Sequence, residues 1–266
     1  MSGLDPTQLA GGALSGALVG FLMGMTGIGG GVALQPVLIL LLGVEPISAV
    51  GAAMVFSVAV RFSAIRHHKR LGNIDARVSK WGGAGTAPGV IIAAVTLLAL
   101  NARYPEATNR ALQVFIAVVI GASFVLMLVC PKRPHETAGP TPPPHAPPAP
   151  AGRLLSFGFL VGLIMGSTSV GGGVFIVPAL MSWFGLTAAR AVGTSIAIST
   201  IPAIVGAVIY ASRGAVAWVQ VLLLLAGSFA GVPLGARAAT RVPERVLRWI
   251  ILIVMGASAL LLMRPR

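Results

Sequence analysis

The chain has 266 residues, 56% of them hydrophobic and only 9% charged, whereas an ordinary soluble domain carries roughly 25% charged residues, so the composition excludes a soluble globular protein. Nineteen Lys and Arg against six Asp and Glu give a net charge of +13. The basic residues stand in the gaps between apolar runs, as the cytoplasmic loops of membrane proteins require, and without aromatic stacking platforms they do not describe a nucleic-acid-binding face.

Apolar runs occupy residues 8–42, 46–65, 81–100 and 108–130, each at least as long as the ~20 residues that cross a hydrocarbon core of roughly 30 Å. Cys130 is the only cysteine, which leaves neither an intrachain disulfide nor a thiolate zinc site. Residues 131–150 hold nine prolines in twenty positions and read as an extended linker. Further runs follow at 153–184, 188–211, 217–236 and 246–263. The sequence thus divides into a first membrane repeat (1–130), a proline-rich linker (131–152) and a second membrane repeat (153–266). The first residues lack the basic stretch and cleavage region of a secretory signal, and the first apolar run is expected to stay in the mature protein.

The two parts match at one constant shift of 142. Gly24 to Val32 (Gly-Met-Thr-Gly-Ile-Gly-Gly-Gly-Val) falls on Gly166 to Val174 (Gly-Ser-Thr-Ser-Val-Gly-Gly-Gly-Val), Pro36 on Pro178, Gly51 on Gly193, Ser57 on Ser199 and Gly72 on Gly214. The register predicts a duplication. The first run of each copy is too long for one crossing and carries three consecutive glycines, each weakening a helix by about 1 kcal/mol relative to alanine. Two shorter helices meeting at the glycines are expected, and such breaks mark the binding site in transporters built from repeats. If each first run crosses once, the Lys and Arg divide 12 to seven across the membrane. If each enters and returns, the copies are inverted and the division is 14 to five, with 61–80, 131–153, Arg190 and 237–248 on the richer, cytoplasmic side. The positive-inside tendency favours inversion. The expected fold is therefore all-α and polytopic, each half having a broken first helix and three further crossings.

Gly29, Gly30, Gly31 and Gly171, Gly172, Gly173 stand where a half-helix begins, so unpartnered N–H groups and the helix dipole would favour an anion. Thr26, Ser167, Thr168 and Ser169 precede the triplets with hydroxyls, and Gln35 follows. On the next helix Ser57 and Ser199 recur at matching register, and Thr194 and Ser195, beside the matched Gly193, stand where the first copy has Ala52 and Ala53; hydroxyls there also bond back to the i−4 carbonyl. Arg61 and His68 are candidates for gating or substrate recruitment. The acids Asp5, Glu45, Asp75, Glu106, Glu136 and Glu244 all fall in connections or at helix ends, so no carboxylate relay crosses the membrane. No nucleophile–base pair or metal-ligand set appears in the apolar runs. The chain reads as a transporter rather than an enzyme, with a small anion and the bilayer as its partners and no cofactor. Glycines that serve helix packing alone would instead make it a channel-like or non-transporting scaffold.

Gly24-Met-Thr-Gly-Ile-Gly-Gly-Gly-Val-Ala-Leu-Gln-Pro36, Ala49-Val-Gly51 and His68-Lys-Arg-Leu-Gly-Asn-Ile-Asp75, with the second copy ending at Pro178, resemble the sulfite exporter TauE/SafE family over essentially the whole chain. That resemblance implies a multi-pass protein of the cell inner membrane moving sulfur-containing anions such as sulfite and sulfonates. The second copy departs from the first at Arg213-Gly-Ala-Val-Ala217, where the His and Asp are missing.

Overall fold

The computed structural model describes residues 6–26, 31–129, 150–170, 175–239 and 244–263. Among these the secondary structure is helical throughout: α1 (Pro6–Thr26), α2 (Gly31–Pro36, continued by a π-helical turn Val37–Leu41), α3 (Pro46–Arg70), α4 (Ala76–Arg103), α5 (Pro105–Val129), α6 (Ala151–Thr168), α7 (Ile176–Phe184), α8 (Ala188–Ser212), α9 (Trp218–Ala239) and α10 (Glu244–Met263). Helices α1, α3 and α5 open on proline, which suits the first turn because its missing N–H would have had no partner there. Among the described residues, six helices, α3, α4, α5, α6, α8 and α9, are long and apolar enough to cross a membrane.

The two long first runs are each divided, the first into α1 and α2, the second into α6 and α7. The second run differs from its expected bounds. It continues past residue 65 to Arg70, so Arg61, counted above with the basic stretch 61–80, lies well before the end of α3, and the sequence count for the richer side falls to 13 against five.

Two turns that reverse the chain, α3 to α4 and α8 to α9, are closed by glycine. Gly72 and Gly214 both adopt φ +67, a left-handed conformation that glycine reaches without a Cβ clash. At the first, Gly72 N–H donates to Lys69 C=O (3.2 Å) and Asn73 N–H to His68 C=O (3.1 Å); at the second, Gly214 N–H donates to Ala211 C=O (3.1 Å) and Ala215 N–H to Tyr210 C=O (2.9 Å). These paired bonds use up carbonyls that a helix end would otherwise leave open.

Small residues set which helices touch. A side chain at Gly16 would run into the Leu224 backbone and one at Gly20 into Ser228; likewise Gly158 abuts Gly82 and Gly162 abuts Thr86. The contacts ascend together, so α1 runs in the same direction as α9, and α4 in the same direction as α6. Close backbone approach of this kind holds helices together in lipid, where no hydrophobic force acts between them. Helices α3 and α8 run oppositely, with Met54 against Gly206 and Arg61 against Ser199. So do α5 and α10, where Gln113 reaches Leu262 and Phe124 packs on Gly256. The pairs Thr194–Asp75 and Ile198–Gly82 make α8 and α4 parallel.

The larger core gathers Leu34, Leu38, Met54, Phe56, Ile116 and Tyr210, and a smaller one gathers Leu154, Met165, Ile176, Leu180 and Ile198. Outside them, Leu14, Leu222, Phe229, Ile253 and Leu260 are exposed, an apolar exterior whose natural solvent is lipid.

Candidate functional site

Arg61 is the one charged side chain among the buried described residues, at 7% exposure. It lies three residues beyond the midpoint of α3, about 4.5 Å at 1.5 Å per residue, deep within a helix long enough to cross the bilayer. Its Nη1 donates to the Ser199 carbonyl at 2.8 Å. Ser199 is itself one residue from the middle of α8. Pro202, inside α8, has no N–H to give the preceding turn, which loosens the helix where the guanidinium arrives. No carboxylate pairs with Arg61 among the described residues: Glu45 and Glu106 are exposed and Asp75 bonds Arg190. Ser57, one helical turn before Arg61 and on the same face, is buried with a hydroxyl that has no partner among the described residues.

A second polar group collects at the end of α6. Gln35 is fully buried and its Nε2 donates to the Thr168 carbonyl at 3.0 Å; its Oε1 has no partner among the described residues. The Thr168 hydroxyl donates to Ile164 C=O (2.7 Å) and accepts from Val170 N–H (3.1 Å). Ser169 closes the helix in the left-handed region, φ 57, with its N–H on Met165 C=O. Its hydroxyl too has no described partner. The Ser167 hydroxyl donates back to Leu163 C=O at 2.8 Å. Tyr210, absent from the sequence-based candidates, donates from Oη to Gly166 C=O at 2.8 Å. Its signal was positional: it stands 142 residues after His68, which lies half-buried on the last turn of α3. Because Val170 N–H is taken by Thr168, Tyr210 supplies the partner Gly166 would lose. Tyr210→Phe is expected to cost about 1–3 kcal/mol, the penalty for a buried carbonyl left unpaired, measurable by denaturant unfolding of the detergent-solubilised protein.

The remaining candidates sit elsewhere. Thr26 closes α1 and Gly31 opens α2; Gly29, Gly30, Gly171, Gly172 and Gly173 lie outside the described residues. Thr194 accepts from the Asp75 N–H at 2.9 Å, and Ser195 donates to Val192 C=O at 2.8 Å. The Asp75 carboxylate caps α4 by accepting from Val78 N–H (2.9 Å) and bonds Arg190 Nη2 (3.0 Å). Residues 73–75 are thereby tied to the start of α8, with Gly193 pressed on the Asn73 carbonyl. Among the described residues no group of three or more His, Cys, Asp or Glu stands together to hold a metal ion.

A chain of lipid-facing crossing helices around a buried cation is a polytopic helical membrane protein. Comparison with known proteins narrows the class: the model of the sulfite exporter TauE/SafE family matches residues 12–262, and the chain belongs to that family of membrane transporters. It is 28% identical over 250 residues to "Probable membrane transporter protein YjnA" of Bacillus subtilis, covering 93% of this chain and 96% of that one. It is 25% identical over 260 residues to "Probable membrane transporter protein YunE" of the same organism, covering 90% and 92%. A "Probable membrane transporter protein" of Haemophilus influenzae is 27% identical over 256 residues, covering 88% and 90%. No solved structure matches the chain.

Proposed function

We propose that the protein exports a small sulfur-containing anion, such as sulfite or an organosulfonate, across the cell inner membrane by alternating access. The observation that carries the anionic cargo is Arg61. A cation buried without a described carboxylate faces a desolvation penalty of several kcal/mol, and an anion of the cargo is what offsets it. The family's own description names sulfite export. An interior-negative potential drives an anion outward by about 2.3 kcal/mol per charge per 100 mV, which makes export the favoured direction.

The moving parts in this reading are two inverted repeats, residues 1–130 and 153–266. Its support is the recurrence of equivalent contacts at a shift of 142: Gly16 on Leu224 and Gly158 on Gly82, Gly20 on Ser228 and Gly162 on Thr86, Gly51 on Ala215 and Gly193 on Asn73. The opposed directions of α3 and α8 and of α5 and α10 agree with it, as does the 13-to-five division of basic residues. The glycine-rich segments Gly29–Gly31 and Gly171–Gly173, with Thr26, Gln35, Ser57, Ser167, Thr168, Ser169, Thr194, Ser195 and Ser199, line the path of the anion in this scheme, and Arg61 and His68 guard it.

Proteoliposomes loaded with radiolabelled sulfite or a sulfonate are expected to release it faster when the trans side is made positive. Flux of every sulfur oxyanion that ignores the imposed potential, or is absent, would sink this reading.

A further inference from the structure

We infer that Arg61, with Ser57 one turn before it and Ser199 across from it, forms a single site for one singly charged oxyanion, and that this charge match discriminates against the dianion. The inference rests on the anion-transport reading above and goes on to fix where the anion sits and what charge it carries.

The site is built rather than incidental. Arg61 is more than nine-tenths buried, and the bond to the Ser199 carbonyl is the one hydrogen bond it makes among the described residues. A guanidinium has five N–H donors in a fixed fork suited to the paired oxygens of an oxyanion, so most of its donor capacity stays open. Ser57 places a buried hydroxyl without a described partner on the same face. Ser199, also buried, stands at the position 142 residues after Ser57; its hydroxyl donates to Ile196 C=O at a long 3.2 Å and can turn to a ligand. The position 142 residues after Arg61 is Ala203. The crossing of α3 and α8 therefore brings two hydroxyls but one cation, which makes one site per chain.

Charge arithmetic then selects the ligand. A monoanion beside Arg61 leaves the interior neutral. A dianion leaves one negative charge with no second buried cation among the described residues, and an uncompensated charge in a desolvated interior costs several kcal/mol. For a diprotic oxyanion such as sulfite, the singly protonated form is the species bound.

The test is equilibrium binding to the purified full-length chain at matched ionic strength, with methanesulfonate as a permanent monoanion, sulfate as a dianion, and sulfite titrated with pH. Methanesulfonate is expected to bind at least about 100-fold tighter than sulfate, the ratio that ~2.7 kcal/mol gives. Sulfite affinity is expected to fall about tenfold per pH unit above its second ionisation while methanesulfonate affinity stays level. Arg61→Gln is expected to lose methanesulfonate binding by at least tenfold, and Arg61→Lys, which keeps the charge, to retain the monoanion preference. Because Arg61→Gln could fail to fold, the wild-type selectivity and the Arg61→Lys comparison stand as independent readouts. Sulfate binding as tightly as methanesulfonate, sulfite binding indifferent to pH, or wild-type affinity in a folded Arg61→Gln chain overturns the site, even where sulfite flux persists. A wild-type chain that binds none of the three anions overturns both this site and the transport reading.

Discussion

A chain carrying Gly162→Leu is expected not to assemble, running as aggregate on size-exclusion chromatography, while Gly152→Leu is expected to behave as wild type. A Cβ at Gly162 would strike the Thr86 carbonyl and Cα, backbone atoms with no rotamer to yield, whereas Gly152 has nothing within 4 Å. Leucine at residue 162 must therefore push α4 and α6 apart. That also opens the contacts of Gly158 on Gly82 and of Gly166 on Val90 along the same seam. Overpacking commonly costs 1–3 kcal/mol and more where neither side can move; a rigid backbone seam lies at the upper end, above about 3 kcal/mol. A monodisperse Gly162→Leu protein with an unchanged melting temperature would show that the helices do not meet as described.

The second large effect is expected from Asp75→Lys, a loss of about 2–3 kcal/mol in the melting of the detergent-solubilised protein. Three terms add in the same direction. The α4 cap on Val78 N–H is lost, typically about 1 kcal/mol. The pair with Arg190, whose side chains are 38% and 24% exposed, goes with it, at roughly 0.5–1 kcal/mol after solvent screening. A like-charge contact with Arg190 replaces it, at a comparable cost. Adding Arg190→Glu should recover the last two terms but not the cap, so the double variant should regain about half of the loss. No recovery would mean that Asp75 matters only as a cap.

Much of this fold is written plainly in the sequence. The crossing helices and the division of each first run can both be read from hydropathy and from the glycines, because these act within one segment. What escaped had to be read between segments. Arg61 looks like the edge of a basic loop because Arg66, Lys69 and Arg70 follow it closely, and only the Ser199 carbonyl, 138 residues away, gives it a place inside the bundle. The Asp75–Arg190 pair spans 115 residues. Its trace in the sequence was an asymmetry: Asp75, Arg190 and Thr194 have Ala217, Ser48 and Ala52 at the matching positions. Thr194, read from its register as facing the anion's path, has its hydroxyl oxygen engaged by the Asp75 N–H, a use no periodicity distinguishes from lining a cavity.

That asymmetry makes the two ends of α8 chemically unlike. At its start, Asp75, Arg190 and Thr194 join across a seam of charge and hydroxyl. Beyond its far end, about 37 Å away for 25 residues at 1.5 Å rise, the matching contact is Gly51 against the Ala215 carbonyl and the side chains of Tyr210 and Val216, a seam without charge. Salt screens ion pairs over a Debye length of about 8 Å at physiological strength, and the more so the more they are exposed; the side chains of Arg190 and Asp75 are 38% and 24% exposed, and an uncharged seam has no pair to screen. Ionic strength is thus a handle on one side of this membrane protein: raising it is expected to speed amide exchange at the start of α8 modestly and to leave the far end unchanged, and equal change at both ends would show that the pair does not hold that side.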